Sequence, residues 1–288
     1  MLLKGKPVAD KIKSEITAAV HACAAAGRDV PHLAIMRVGN RPDDISYESR
    51  VMKNCAALGI EVSVHTMEET VPPADFMAVL EKLNADDRTH GILIFRPLPA
   101  QLDSNRISRT IKPEKDIDCM SPVNTEKIFG GDKSGISPCT PEAVIEILKF
   151  YGYELSGKNV AIVNRSMVLG KPLAMLFLNE NATVTICHSK TRNLAAVTAN
   201  ADIVVTGVGR PNFFDAAYFK KDSCIVDVGI NLDAEGNLCG DVDFAAVSSV
   251  ATALTPVPGG VGTVTSMILL RHVIQAMHVQ RRESEKES

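Results

Sequence analysis

Short apolar segments of strand length alternate along the chain with amphipathic segments of helical period, and this alternation constrains the fold most strongly. Residues 32–38, 61–66 and 91–95 are predicted strands, and residues 45–58 and 76–83 between them are predicted helices. Strands separated by helices in this order are typical of a parallel sheet covered by helices. The first part of the chain is therefore predicted to be an α/β unit.

A second unit of the same kind is predicted from Pro138 onward. Thr140 is a favourable helix N-cap with Pro141 at the first helical position. Residues 263–279 are predicted as a final helix, with a frayed tail from Arg281. Further strands are predicted at 159–163, 182–187, 202–206 and 224–228.

The predicted fold class is α/β with two domains, the second of which is a Rossmann-like doubly wound parallel sheet. The 288 residues suffice for two domains of ordinary size. The first domain is predicted to contain residues 1–137 with 268–288, and the second residues 138–267.

The composition argues against several classes of function. Lys plus Arg number 31 and Asp plus Glu number 34, and a net charge of -3 is unfavourable for binding nucleic-acid phosphates. No apolar stretch reaches the ~18 residues that a membrane span needs. The 7 cysteines are scattered without a CxxC pair, which is typical of reduced cytosolic thiols and not of a zinc site. We therefore expect a cytoplasmic protein with no metal, membrane or nucleic-acid partner.

The loop 164–172 joins the predicted strand 159–163 to a helix, and a helix N-terminus after a tight loop can bind a phosphate. The loop lacks GxGxxG, so an ordinary strand-to-helix turn is equally compatible. The strand 182–187 ends in the basic turn 188–192, without the carboxylate that usually accepts from the ribose of NAD. Together with Arg165, this turn favours the 2′-phosphate of NADP, and the alternative is a solvated basic turn.

Six ordered segments carry a resemblance to a known family. They are PEKDID at 113–118, PCTP at 138–141, RSMVLGKP at 165–172, ATVTICHSKT at 182–191, DVGIN at 227–231 and TPVPGGVG at 255–262. Taken together, they resemble the bifunctional methylenetetrahydrofolate dehydrogenase/methenyltetrahydrofolate cyclohydrolase family over nearly the whole chain. The resemblance implies a folate-binding first domain, a second domain that binds NADP, and a homodimer.

The resemblance also implies the residues that contact the cofactor. By position in the family motifs, they are Asn164, Arg165, Ser166, Ser189 and Ile230. Asn164 stands where the family usually has glycine. Because asparagine tolerates unusual φ angles better than most residues, we expect the loop to keep its path.

On the folate side, the resemblance implies that Tyr47 lies against the substrate rings and that Asp118 accepts hydrogen bonds from the pterin. We take both as catalytic and substrate-binding candidates. The other substrate-binding candidates are Pro258, Gly259 and Gly260, whose glycines allow close approach of the backbone. The alternatives are that Asp118 caps a turn and that 258–260 form only a rigid turn.

On the folate side, the helix and the strand that flank the substrate candidates each depart from the family pattern at one residue. The family has Tyr-x-x-x-Lys on a helix, and here Tyr47 is followed by Val51 at the lysine position. Phe95 replaces the glutamine that normally partners this lysine. Of the nearby cations, Lys53 lies roughly 200° around the helix from Val51. Arg50 is on roughly the right side and Arg96 is on the opposite strand face, but a guanidinium stays protonated and cannot act as a base.

The predicted function is NADP-dependent oxidation of 5,10-methylenetetrahydrofolate to 5,10-methenyltetrahydrofolate in one-carbon metabolism. The second family activity, hydrolysis of the methenyl compound to 10-formyltetrahydrofolate, is predicted to be weak or absent, since it needs a proton-transferring group. Three alternatives remain open: a fully bifunctional enzyme, a dehydrogenase that prefers NAD, and a non-catalytic paralogue that binds folate or nucleotide.

Overall fold

The computed structural model describes residues 1–27 and 29–287. These residues form two compact units, which we name by their main sheets. The three-stranded unit contains Ile12–Ser137 and the chain from Leu269 onward, and the five-stranded unit contains Met1–Lys11 and Pro138–Ile268. The predicted α/β class with parallel sheets is confirmed. Within the described residues, no helix is both long and apolar enough to cross a membrane.

The start of the chain differs from the predicted domain bounds of 1–137 with 268–288. The backbone N–H of Leu3 donates to the carbonyl of Leu254 at 2.9 Å, and that of Gly5 donates to Gly259 at 2.8 Å. Because of these bonds, Met1–Lys11 group with the five-stranded unit.

The three-stranded unit is built on a parallel sheet. In chain order, its elements are α1 (Gly5–Ala25), β1 (His32–Val38), α2 (Pro42–Leu58), β2 (Glu61–Met67), α3 (Pro73–Ala85), β3 (Gly91–Ile94), α4 (Ser104–Thr110) and α5 (Pro122–Gly130), and the first residues of α1, up to Lys11, belong to the five-stranded unit. The strands lie in the order β2-β1-β3. Phe76 and Leu80 of α3 are fully buried against Ile92 of β3, which anchors the sheet to the helix layer. The chain leaves the carboxyl end of β3 at Phe95, next to the helix that carries Tyr47.

The five-stranded unit is built on a second parallel sheet. The elements of this part are α6 (Cys139–Phe150), β4 (Asn159–Val163), α7 (Gly170–Asn179), β5 (Thr183–Cys187), α8 (Leu194–Thr198), β6 (Ile203–Thr206), β7 (Cys224–Asp227), β8 (Asn231–Leu232), β9 (Leu238–Cys239), α9 (Phe244–Val247) and β10 (Ala253–Leu254). The last helix, α10 (Val261–Glu287), begins in this unit and belongs to the three-stranded unit from Leu269 onward. The strands of the sheet lie in the order β10-β7-β6-β4-β5. The chain passes from β4 outward to β5 and then back across β4 to β6. This reversal is a topological switch point, where ligands bind outside the carboxyl ends of the strands. Asn164 follows β4 and Gly207 follows β6, so both lie at this point.

The final helix is longer than predicted. It runs to Glu287, whereas the sequence predicts helix only at 263–279 and a frayed tail from Arg281. The tail prediction is therefore wrong up to Glu287, and Ser288 lies outside the described residues. From Arg281 onward the chain has no glycine or proline, so nothing in the backbone stops the helix.

Candidate active site

Tyr47 is positioned by the helix α2 and by a buried ion pair beside it. The helix begins with Pro42 and ends at Gly59, whose φ of 73° gives the left-handed C-cap. Arg37 on β1 donates from Nε to Oε2 of Glu48 at 2.7 Å, with the two side chains only 9% and 13% exposed. This pair fixes α2 against the sheet at the residue after Tyr47. Sequence reasoning missed it, although a lone arginine in an otherwise apolar strand was a signal.

The face of α2 next to Tyr47 is apolar. The ring of Tyr47 lies 5.4 Å from that of Phe95, measured between centroids. Val51 and Cys55 follow on the same stripe and are 3% and 0% exposed. Burial raises the pKa of the Cys55 thiol to about 12, so this thiol stays protonated near neutral pH. None of the three side chains of Phe95, Val51 and Cys55 can transfer a proton at neutral pH.

Two cationic side chains of α2, those of Arg50 and Lys53, are near Tyr47 in sequence. The guanidinium carbon of Arg50 lies 5.9 Å from the centroid of the Tyr47 ring, which is a cation–π distance. Lys53 is exposed to solvent. Because the guanidinium of Arg50 cannot be deprotonated in proteins, it can orient the ring but cannot act as a base.

Asp118 is half-buried and paired with Arg96. Nη2 of Arg96 donates to Oδ2 of Asp118 at 2.7 Å, with the side chains 39% and 30% exposed. An ion pair this open to water contributes little to stability, but it holds one carboxylate oxygen in place. Sequence reasoning placed Arg96 on the strand face opposite Phe95 and missed this pair, since the partners are 22 residues apart.

The loop around Asp118 is held from both sides. Asp116 is 1% exposed and accepts backbone N–H bonds from Met120 at 2.9 Å and Ser121 at 2.7 Å. Burial is the main cause that raises the pKa of this Asp116 carboxyl. Cys119 adopts a left-handed φ of 55°, which is uncommon for a residue with a side chain. The fixed contacts of Asp116 hold this strained conformation, so the backbone on each side of Asp118 is well defined.

In the five-stranded unit, the side chain of Asn164 shapes the loop after β4. Its Oδ1 accepts from the backbone N–H of Ser166 at 2.8 Å and of Gly170 at 3.1 Å, and from the Ser166 hydroxyl at 2.8 Å. Its Nδ2 donates to the carbonyl of Gly207 at 2.5 Å, which joins the loops after β4 and β6. Asn164 is not among the residues with positive φ. Its side-chain bonds, and not its backbone freedom, therefore define the path of this loop.

Gly170 permits the close turn of this loop into α7. A Cβ at this position would lie 1.9 Å from the carbonyl oxygen of Asn164 and 2.8 Å from the backbone nitrogen of Arg165. Both are backbone atoms, so they cannot move aside as a flexible side chain would. Only glycine fits here without a shift of the loop.

We expect Gly170→Ala to lower the free energy of unfolding by roughly 1–3 kcal/mol, because the added methyl group overpacks the loop backbone. The matched control is Gly130→Ala at the end of α5, where a Cβ would meet nothing within 4 Å. Urea denaturation of both variants measures the difference. Equal stability of Gly170→Ala and the unaltered protein would show that the loop yields without cost.

The end of β5 and the neighbouring loop present exposed basic groups. Ser189 and Lys190 are exposed in the turn after β5, and Arg165 is exposed in the loop after β4. Because β4 and β5 are adjacent parallel strands, their carboxyl ends lie side by side. The residues that directly follow β5, 188–192, contain no carboxylate. This donor set fits a phosphate group better than a bare ribose.

The remaining predicted residues lie at the same edge of the five-stranded sheet. Ile230, which follows β7, is 67% exposed. Pro258 and Gly259 are exposed in the turn after β10, where Gly259 has a φ of 101°. Gly260 is buried, and a Cβ there would lie 2.4 Å from the carbonyl oxygen of Pro256. The sheet thus brings the predicted cofactor residues to one edge, while Tyr47 and Asp118 belong to the three-stranded unit.

Two family models match this chain. The one described as the catalytic domain of tetrahydrofolate dehydrogenase/cyclohydrolase matches residues 3–118, and the one described as its NAD(P)-binding domain matches residues 138–281. The chain belongs to the tetrahydrofolate dehydrogenase/cyclohydrolase family. The resemblance inferred from the sequence motifs is therefore confirmed.

Relatives in this family align over almost the whole chain. A bifunctional FolD protein of Clostridium botulinum is 50% identical over 275 residues, which cover 96% of this chain and 97% of the relative. The crystal structure of the bifunctional FolD enzyme from Campylobacter jejuni has a TM-score of 0.94 at 36% identity and covers 97% of this chain and 99% of its own. The Trypanosoma brucei enzyme, solved with NADP and an inhibitor, has a TM-score of 0.90 at 33% identity and covers 98% of each chain.

Proposed function

We propose that the protein oxidises 5,10-methylenetetrahydrofolate to 5,10-methenyltetrahydrofolate with NADP and has little or no methenyltetrahydrofolate cyclohydrolase activity. Family membership supports the folate substrate and the dinucleotide. The Trypanosoma brucei relative with bound NADP supports the choice of NADP. A cytoplasmic homodimer, which the resemblance implies, is part of the same proposal.

The observation that carries the proposal is the apolar surface beside Tyr47. Val51 and Phe95 are 3% and 6% exposed, and they occupy the positions at which the family pattern has lysine and glutamine. Ring opening of the methenyl cation needs a group that transfers protons near neutral pH, and such groups contribute about 10²–10⁴-fold to a rate. Neither side chain can transfer a proton, and Arg50 beside Tyr47 stays charged.

Oxidation of the methylene carbon requires less from these residues. When bound, NADP supplies the nicotinamide ring that accepts the hydride. The protein then has to hold the substrate in a reactive position, which is catalysis by positioning. Tyr47 supplies an aromatic face whose angle is fixed by Phe95, and Asp118 supplies a carboxylate that can accept two hydrogen bonds from a pterin.

The formation of methenyltetrahydrofolate tests the oxidation. We expect its absorbance to rise with time when the purified protein receives methylenetetrahydrofolate and NADP. Titration calorimetry with each ligand alone measures its binding independently of turnover. Binding of both ligands with no product would contradict the proposal and identify a non-catalytic paralogue.

We expect Arg165→Gln to raise the KM for NADP by roughly 10- to 100-fold and to change the KM for NAD little, since only NADP has a 2′-phosphate for the guanidinium. The matched control is Lys149→Gln on α6, whose ammonium pairs with Glu180 at 2.7 Å. Initial rates with the two dinucleotides measure both constants. Equal effects on NADP and NAD would contradict a 2′-phosphate contact at Arg165.

A fully bifunctional enzyme is the second candidate. It is favoured by relatives that are 49% and 50% identical to this chain and are described as bifunctional. The two candidates differ in one property, the enzyme-dependent rate of methenyltetrahydrofolate hydrolysis. Restoring the side chains of the family pattern at positions 51 and 95 distinguishes them.

A further inference from the structure

Two buried carboxylates, Asp227 and Asp241, lie near the carboxyl edge of the five-stranded sheet and are not assigned to either ligand. Asp241 is 0% exposed, and its carboxylate accepts backbone N–H bonds from Val208 and from Arg210, the latter at 2.9 Å. It also accepts from Nδ2 of Asn231 at 2.9 Å. One side chain therefore joins the loop after β6 to the segment after β7.

The carboxylate of Asp227 holds the backbone next to Asp241. Asp227 is 3% exposed and accepts the backbone N–H of Gly229 at 2.9 Å, of Asp241 at 3.2 Å and of Val242 at 2.9 Å. A Cβ at Gly229 would lie 2.4 Å from Cγ of Asp241, so the backbone is packed directly on the carboxylate. Burial raises the pKa of Asp227 to about 6, and the charge of Asp241 adds to this. Above pH 7, Asp227 is therefore mostly ionised and can accept these bonds.

A continuous set of contacts links two of the predicted cofactor residues through Asp241. At one end, Nδ2 of Asn164 donates to the carbonyl of Gly207 at 2.5 Å. The next residue, Val208, donates to Asp241, which in turn holds Asn231, the neighbour of Ile230. Asn164 and Ile230 are far apart in sequence, and this network fixes the distance between the loops that carry them.

We propose that Asp241 is a positioning residue that sets the affinity of the five-stranded unit for the dinucleotide. Being fully buried, it acts through the loop 207–210 and through Asn231 and not by contact with the ligand. A loop that is held in its binding conformation before the ligand arrives loses less conformational entropy on binding. This inference rests on the proposed function, because it takes the same edge of the sheet as the dinucleotide site.

The test compares Asp241→Asn with the control Asp243→Asn. An asparagine amide presents N–H donors towards the backbone N–H groups that the carboxylate now accepts, so the loop should lose its position. Asp243 lies two residues away but only caps α9, by accepting from the N–H of Ala246 at 3.0 Å. At pH 8, we expect calorimetry to show the dissociation constant of NADP raised roughly 10- to 100-fold in Asp241→Asn and unchanged in the control. In the oxidation assay, the KM for NADP should rise while kcat and the KM for the folate change less than about threefold.

A second variant covers the case in which Asp241→Asn fails to fold. Asn231→Ala removes one contact of Asp241 and leaves its backbone bonds intact, so we expect a folded protein whose NADP dissociation constant rises roughly 3- to 10-fold. An unchanged constant in Asn231→Ala, or in a folded Asp241→Asn with a lowered Tm, would overturn the positioning role. If the unaltered protein bound no NADP, the proposed function would fail together with this inference.

Discussion

Hydrolysis of 5,10-methenyltetrahydrofolate by the double variant Val51→Lys/Phe95→Gln is expected to be at least about 10²-fold faster than by the unaltered protein. Position 51 lies one helical turn from Tyr47 and is 3% exposed. An amine placed there loses hydration, which lowers its pKa towards neutrality and makes it an effective proton-transferring group. The glutamine amide at position 95 would supply a polar partner for the amine.

The matched control for this experiment is Val51→Met/Phe95→Met. It changes the same two buried positions to flexible apolar side chains and introduces no titratable group. We expect its hydrolysis rate to equal that of the unaltered protein, and thermal unfolding shows whether both double variants remain folded. If the lysine and glutamine variant kept its dehydrogenase activity but gained no hydrolysis, Val51 and Phe95 would not account for the missing reaction.

The dehydrogenase kcat/KM for methylenetetrahydrofolate is expected to fall by roughly 10²-fold in Asp118→Asn. A carboxylate can accept two hydrogen bonds from the amino group and ring N–H of a pterin, whereas an asparagine amide offers one acceptor and a mismatched donor. The change is nearly isosteric, so the loop that is held by Asp116 should persist. Initial rates at varied folate concentration measure this loss.

The variant Arg96→Leu measures the contribution of the ion pair separately from that of the Asp118 carboxylate. It removes the guanidinium that lies 2.7 Å from Asp118 and leaves the carboxylate in place. We expect less than about a 10-fold loss, since half-exposed ion pairs contribute little. If Asp118→Asn instead matched the unaltered protein in both kcat and KM, Asp118 would be only a turn residue.

The sequence predicted the strands more accurately than the short helices. β1 and β4 have the predicted bounds, because each is a mainly apolar run between polar or turn residues. The helices α4 and α5 were missed. Asp103 and Ser121 cap them well, but 7 and 9 residues are too few for a helical period to stand out.

The prediction from helix-capping preferences also gave the wrong start for α6. Thr140 was the predicted N-cap, but the helix begins at Cys139 after Pro138, with no side-chain cap bond. Pro141 still lies in the first turn, where its missing N–H costs no hydrogen bond. A good capping residue is therefore a weak guide to the first residue of a helix when prolines surround it.

For the candidate site, the sequence predicted which side chains share a helix face, but not which distant residues contact one another. The stripe of Val51, Cys55 and Leu58 followed from helical periodicity, and all three are buried. The pairing of Arg96 with Asp118 joins a strand end to a loop, and the bonds of Asp241 reach residues up to 33 positions away. Such contacts depend on how loops fold back on the sheet, which no local pattern reports.

The most direct test of the central claim is a pair of specific activities measured on one purified sample of the unaltered protein. We predict rapid NADP-dependent formation of methenyltetrahydrofolate, together with hydrolysis of that compound at no more than its rate in buffer alone. Hydrolysis far above the buffer rate would contradict the claim, because it would show that this protein transfers the proton without a lysine at position 51 or a glutamine at position 95.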